Sequence, residues 1–247
     1  MMNLIVDVGN SFTKIAFFKD ERIDEIFVKD NHSDMLNKEM DLLLLLANKC
    51  DSALISSVKR NYPEVIKIIT ADIKNVKSLG VDTILPMTNR YKTPKTLGKD
   101  RIAAAVGANN IYPDSNVLII DAGTALTMDL VTDKNEYIGG SISPGLSMRY
   151  RALNRMTGNL PELSINNNFD LLVGTDTTEA ITAGVQNGII YEVESYIDKI
   201  SEKYQQIKIV LTGGDIIFFE RYIKKDIFAD QYLVLKGLNR ILRYNEK

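Results

Sequence analysis

LIVDVGNSFTKIAFF, from Leu4 to Phe18, returns later in the chain as LIIDAGTALTMDLV, from Leu118 to Val131. The two stretches align without a gap: Asp7 falls on Asp121, Gly9 on Gly123 and Thr13 on Thr127. Each reads as an apolar strand, a tight Asp-x-Gly turn and a second strand. A polar turn follows in both, Lys19 to Arg22 and Thr132 to Glu136. A third strand comes next, near Glu25 to Val28 and near Tyr137 to Ser143. Helical pattern then gives way to short apolar strands, Ala53 to Ser57 in the first half and Ile207 to Leu211 in the second. The coarse reading is two copies of β-β-β-α-β-α, an α/β chain whose halves are 1–115 and 116–247. The break falls between Tyr112 and Asn116, where Pro113 and Asp114 end the preceding helix.

The bulk properties narrow the function. A chain of 247 residues is long enough for two small domains. With a net charge of −2 and scattered basic residues, no strong field recruits nucleic acid or an anionic membrane. One cysteine, Cys50, and one histidine, His32, are too few for a zinc site or for a Cys/His or Ser/His catalytic pair. A lone cysteine also excludes internal disulfides and suits a reducing compartment. No basic region followed by a long apolar run precedes the first strand, and the apolar run Leu42 to Ala47 is too short to span a bilayer. The expectation is a cytoplasmic protein without a membrane or nucleic-acid partner.

Asp and Gly are good turn formers by themselves. Their recurrence at matching positions points beyond turn making. Glycine lets the backbone approach a phosphate and donate its amide, and a neighbouring carboxylate can hold a hydrated cation. Two halves that each open with such a hairpin resemble the actin-like ATPase and sugar-kinase superfamily. The resemblance implies two duplicated actin-like (ribonuclease H-like) α/β domains, with the nucleotide held in the cleft between them.

The stretch YKTPKTLGKDR, Tyr91 to Arg101, precedes an alanine-rich helical pattern, Ile102 to Ile111. Asp100 stands where an N-cap or first-turn residue belongs. Lys99 and Arg101 do not fit that position, since a cation in the first turn opposes the helix dipole by roughly 0.3–1 kcal/mol. The placement makes sense where an anion binds. With this stretch the resemblance becomes specific, to the type III pantothenate kinase family. DVGNSFTK matches its phosphate-binding pattern, and Gly98-Lys99-Asp100-Arg101 its Gly-x-Asp-Arg motif. DAGTALTMD from Asp121 and GGSISPGLSMRYRAL from Gly139, leading into NLPEL, match in order. VGTDTTEAITAG and LTGGD complete the set. Ser11, Asp176 and Gly158 stand where the family usually has threonine, asparagine and alanine.

The resemblance implies ATP-dependent phosphorylation of the primary hydroxyl of pantothenate, the first step of coenzyme A biosynthesis. It assigns Gly9, Asn10, Ser11 and Lys14 to the phosphates and Asp7 to a magnesium ion through water. On the second hairpin it sets Asp121 near a monovalent cation, K+ or NH4+, and Gly123 with Thr124 near the phosphates. Asp100 becomes the general base, and Arg101 the partner of the pantothenate carboxylate. Tyr91, Gly98, Lys99 and Thr177 complete the substrate contacts, while Gly213 and Gly214 border the adenine or ribose. Surface packing for Tyr91 and helix capping near Thr177 remain open alternatives, since Asp176 and Glu179 make a capping-box-like pair. Gly184 and Gly188, four apart in the helical pattern Thr177 to Tyr204, suggest that another backbone packs close by, as do the small residues of Ile102 to Ile111. That backbone belongs either to the same subunit or to the homodimer partner that the resemblance implies. Two rival functions stay in view: another small-alcohol or sugar kinase of the superfamily, and a nucleotide-binding regulator without catalysis.

Overall fold

Leu4, Ile5 and Val6 are all fully buried, so β1 (Met2–Val8) is covered on both faces, as a strand inside a helix-flanked sheet must be. The computed structural model describes residues 1–31, 37–58 and 64–246; His32 lies outside the described residues. The chain continues with β2 (Phe12–Lys19), β3 (Arg22–Asp30), α1 (Asn37–Ala47), β4 (Ser52–Ser57), α2 (Glu64–Thr70), β5 (Asn75–Ser78), β6 (Thr88–Asn89) and α3 (Lys99–Ile111). It then repeats with β7 (Val117–Ala122), β8 (Ala125–Val131), β9 (Glu136–Pro144), α4 (Leu146–Met156), α5 (Thr177–Lys203), β10 (Lys208–Thr212), α6 (Ile216–Tyr222) and β11 (Phe228–Ala229), and ends in α7 (Leu233–Tyr244).

These elements form two compact units, Met1–Ile111 with Leu233–Lys247, and Tyr112–Tyr232. The internal boundary lies close to the break read at 115. The C-terminal end differs: α7, read as part of the 116–247 half, packs in the first unit. Its apolar stripe, Leu235, Leu238, Ile241 and Leu242, is fully buried, and its neighbours are α3, β1 and β4. Sequence adjacency carries no information about which distant helix such a stripe will meet.

In the first unit the sheet order is β3-β2-β1-β4-β5; in the second it runs β9-β8-β7-β10-β11. The strand senses also match. The first three strands of each unit are antiparallel, whereas β1–β4, β4–β5, β7–β10 and β10–β11 are parallel. The duplication read from two hairpins therefore extends to both sheets. Register departs from the gapless alignment by one residue. Asp7 pairs with Lys14 in the first hairpin, but Asp121 pairs with Thr127 in the second. The first turn is one residue longer.

One face of the first sheet, with Leu4, Val6, Ile15 and Phe17, packs with Leu43 and Leu46 of α1 and Ile66 and Ile69 of α2. The second unit gathers Leu118, Ile120, Leu126 and Met128 against Tyr150 of α4 and Ile181, Val185 and Ile189 of α5. The helices α3 and α7 meet backbone to backbone. A Cβ on Gly237 would lie 1.8 Å from the Ala103 carbonyl oxygen, and one on Gly107 2.5 Å from that of Leu233. For α3, then, the close backbone partner lies within the same subunit.

Gly237→Ala tests this contact. Helix propensity alone would favour alanine by about 1 kcal/mol, but the methyl group meets backbone that cannot move aside. Equilibrium urea unfolding should show a net loss of roughly 1–3 kcal/mol. A variant as stable as the parent would mean that the two helices are not in contact at this point.

Candidate active site

Asp7 sits near the C-terminal end of β1, in register with Lys14 of β2 and Ser56 of β4. Burial pushes its carboxyl up to about 6, with the charge of Asp100 adding to the rise; the Ser56 hydroxyl and Lys14 pull the other way. Gly9, Asn10 and Ser11 form the turn into β2, and the Gly9 N–H donates to the Phe12 carbonyl at 3.0 Å. Asn10 is exposed, while Gly9, Ser11 and Lys14 are half-buried.

Lys99, Asp100 and Arg101 open α3. The Asp100 carboxylate accepts the Arg101 N–H at 2.8 Å. A Cβ on Gly98 would lie 2.5 Å from Asp100 Oδ1, which is a physical reason for glycine two residues before the aspartate. Arg101 is only 6% exposed, and its guanidinium lies over the Tyr91 ring at 5.6 Å from the centroid, a cation–π arrangement. Tyr91 thus packs against a buried arginine. Asp7, Lys14, Tyr91, Gly98, Asp100 and Arg101 all belong to the first unit.

The second unit holds the remaining predicted residues. Asp121, half-buried, lies near the end of β7, and Gly123 with Thr124 turns the chain into β8. Gly213 follows β10 at φ 106°, the left-handed region, and a Cβ there would lie 2.4 Å from the Ala122 carbonyl oxygen. The end of β10 is thus pressed against the start of the second turn, and the Asp215 N–H donates to the same carbonyl at 2.9 Å. Gly214 is exposed, with no atom within 4 Å of a Cβ position. Thr177 is exposed at the start of α5. The cap is Asp176, whose Oδ1 accepts the Glu179 N–H at 2.8 Å, so the Thr177 hydroxyl is not used for capping.

Three residues beside these turns escaped the sequence reading. Asp215, whose carboxyl is raised by burial, directly follows the LTGGD glycines and could have been read from that adjacency. Gly145 lies within the stretch from Gly139 to Leu153 but was given no role there, and Asn31 reaches its turn only through the third strand, with nothing local to signal it.

The donors suit the groups that such a site would take. Among the described residues no cluster of three or more His, Cys, Asp and Glu side chains exists. A divalent cation would therefore meet single carboxylates and keep water and phosphate oxygens as its other ligands, the preference of magnesium. Asp7 fits that part, and the open turn backbones fit phosphate oxygens.

Folding raises the Asp7 pKa from 3.8 to about 6, so the carboxyl is neutral in both states below pH 3.8 and costs nothing there. The penalty grows as pH rises from 3.8 to about 6 and stays constant above that. Asp7→Asn should leave thermal stability unchanged near pH 3 and raise it at pH 7.5, by on the order of 1–3 kcal/mol. Equal effects at both pH values would show that the carboxylate is not strained by burial.

The family model for type III pantothenate kinase matches residues 3–199. A type III pantothenate kinase of Phocaeicola vulgatus is 42% identical over 248 residues, covering 100% of both chains. One from Porphyromonas gingivalis is 39% identical, with 98% of each covered. Among solved structures, a Campylobacter jejuni protein assigned to the Baf family of transcriptional activators superposes with TM-score 0.63 at 22% identity, covering 98% of both chains. A Listeria monocytogenes protein assigned as an N-acetylmannosamine kinase gives 0.58 at 12% identity, with 100% of each covered. The structural likenesses speak for the fold alone. The matches in sequence, spanning the chain from end to end, decide the family: this chain belongs to the type III pantothenate kinases.

Proposed function

We propose that the chain transfers the γ-phosphoryl group of ATP to the primary hydroxyl of pantothenate, giving 4'-phosphopantothenate, the opening step of coenzyme A synthesis. The observation that carries this reading is the group at the start of α3. There a buried arginine stacked on Tyr91 adjoins an aspartate that Gly98 leaves room for, within the electrostatic reach of Asp7. A sugar pocket has no need of an arginine aimed at a carboxylate, and a regulator without catalysis has no need of Asp100.

Phosphoryl transfer asks a protein chiefly to position reactants and to stabilise spread negative charge. In this reading Arg101 pairs with the pantothenate carboxylate through its guanidinium fork, and Tyr91 holds the guanidinium plane. Lys99 and Gly98 are further substrate contacts of the first unit, and Thr177 is the candidate contact of the second. Asp100 accepts the proton of the attacking hydroxyl as the bond to phosphorus forms. The turn amides at Gly9 to Ser11, with Lys14, and those at Gly123 and Thr124 hold the phosphates; Gly213 and Gly214 border the nucleoside. A magnesium ion, when bound, neutralises phosphate charge, and Asp7 orients its water shell. Asp121 faces a potassium or ammonium ion.

The same reading includes a homodimer in the cytoplasm. Unlike Gly107 and Gly237, the α5 glycines Gly184 and Gly188 have, among the described residues and apart from their own helix turn, no atom within 4 Å of a Cβ position. Tyr191 continues that helix face at 55% exposure, and Leu172 and Val173 are 72% and 74% exposed. A bare face of this kind suits a second copy. No described helix is long and apolar enough to cross a membrane.

Purified protein with ATP and magnesium should release ADP only when pantothenate is present, and faster in potassium than in sodium buffer. Asp100→Asn should lose about 10²–10⁴-fold in kcat while still binding ATP by calorimetry. Near-normal turnover in that variant would remove Asp100 as the base, and no turnover with pantothenate in either buffer would favour another small alcohol. In light scattering the protein should have twice the mass of one chain; a single-chain mass at micromolar concentration would remove the dimer.

A further inference from the structure

Asn31 directly follows β3, and its polar groups turn back on the first hairpin. Its Nδ2 donates to the carbonyl oxygens of Gly9 and Asn10, each at 3.0 Å. Its Oδ1 accepts from the Thr13 hydroxyl at 2.6 Å, and its backbone N–H donates to the Ser11 carbonyl at 2.9 Å. One residue thus binds three successive carbonyls of the turn. In a trans peptide the N–H points opposite to the C=O, and the described chain has no cis bond. Holding the carbonyls of residues 9, 10 and 11 therefore turns the N–H groups of Asn10, Ser11 and Phe12 to the other side. A run of backbone N–H groups directed one way is the arrangement that binds an anion. Thr13, buried at 1% exposure, adds the orientation: a hydroxyl donating to one end of the amide makes that end the oxygen, so the NH2 end meets the carbonyls.

The duplicated half supplies an independent instance. Phe12 pairs with Asp30, and Ala125 pairs with Pro144, so Gly145 is the counterpart of Asn31. A Cβ on Gly145 would lie 2.3 Å from the Gly123 carbonyl oxygen and 2.5 Å from that of Thr124. Those carbonyls are the equivalents of the two that the Asn31 side chain holds. In one half a side-chain amide closes on the back of the turn; in the other the backbone itself does so, which only glycine permits.

We infer that Asn31 is a positioning residue for phosphate binding, bracing the first turn from behind so that its amides face the nucleotide, with Gly145 filling the same place behind the second turn. The inference rests on the proposed reading of the Asp-x-Gly turns as phosphate sites. Asn31 touches neither substrate and acts through the backbone of Gly9 to Phe12.

The test is steady-state kinetics on the full chain with both substrates varied. Asn31→Ala should raise KM for ATP about tenfold, the loss of roughly 1.4 kcal/mol of hydrogen bonding, with KM for pantothenate unchanged. Asn31→Asp, isosteric but without the NH2 donor, should do the same. Thr13→Val should move in that direction and Thr13→Ser should recover the loss. Lys14→Ala serves as the benchmark for phosphate binding at this hairpin. If Lys14→Ala raises KM for ATP while the Asn31 variants change only the melting temperature, the brace is overturned and the phosphate site stands. If neither Lys14→Ala nor the Asn31 variants move KM for ATP, the hairpin is not the phosphate site and the inference falls with it.

Discussion

A carboxylate placed at the end of a strand buried on both faces is the constraint around which the first unit is arranged. β1 can be buried on both faces only because α1 and α2 cover one side of its sheet and α3 and α7 the other. That burial withdraws water from Asp7 and pushes its pKa up. The strain is the kind that functional sites retain: a desolvated carboxylate whose partners only partly offset its burial is costly alone and useful when a cation arrives. Every neighbour that modulates it comes from a different element, Lys14 from β2, Ser56 from β4 and Asp100 from α3. The sheet order, with β1 between β2 and β4, is what makes their convergence possible.

Small residues let backbones approach and so control spacing. Gly107 and Gly237 allow α3 and α7 to touch, and Gly98 leaves room for the Asp100 carboxylate. Through α3, the packing of the C-terminal helix is linked to the site, because Asp100 and Arg101 lie in the first turn of the helix that α7 supports. The α5 glycines follow a different logic, since no described residue outside their own helix turn occupies the space beside them. One residue type thus marks an internal contact in one helix and a bare face in another, and only the coordinates separate the two.

Several members of the candidate site could be nominated from the sequence. Asp7 and Asp121 at strand ends, the capping pair Asp176 and Glu179, and the run from Tyr91 to Arg101 depend on residues close together in the chain. Strand, turn and cap signals are local, so a single stretch carries them. The gapless alignment of the hairpins was less faithful, because turn length is set by pairing register and not by residue identity; Asp7 faces Lys14 whereas Asp121 faces Thr127. The places of Asn31 and Gly145 behind the turns were hidden for the same reason. Each reaches its turn through a hydrogen-bonded third strand, and their chemical types, asparagine and glycine, share nothing that an alignment would pair.

By itself the sequence determined the duplication, the α/β class and the family, and it nominated candidate site residues, since these follow from local periodicity, turn chemistry and ordered motifs. Tertiary structure alone decided that α7 returns to the first unit, that Arg101 is buried against Tyr91, and that burial raises the Asp7 carboxyl. It also decided which residue stands behind each turn. These properties depend on which distant surfaces exclude water from one another, and the order of residues along a chain does not specify that until the chain has folded.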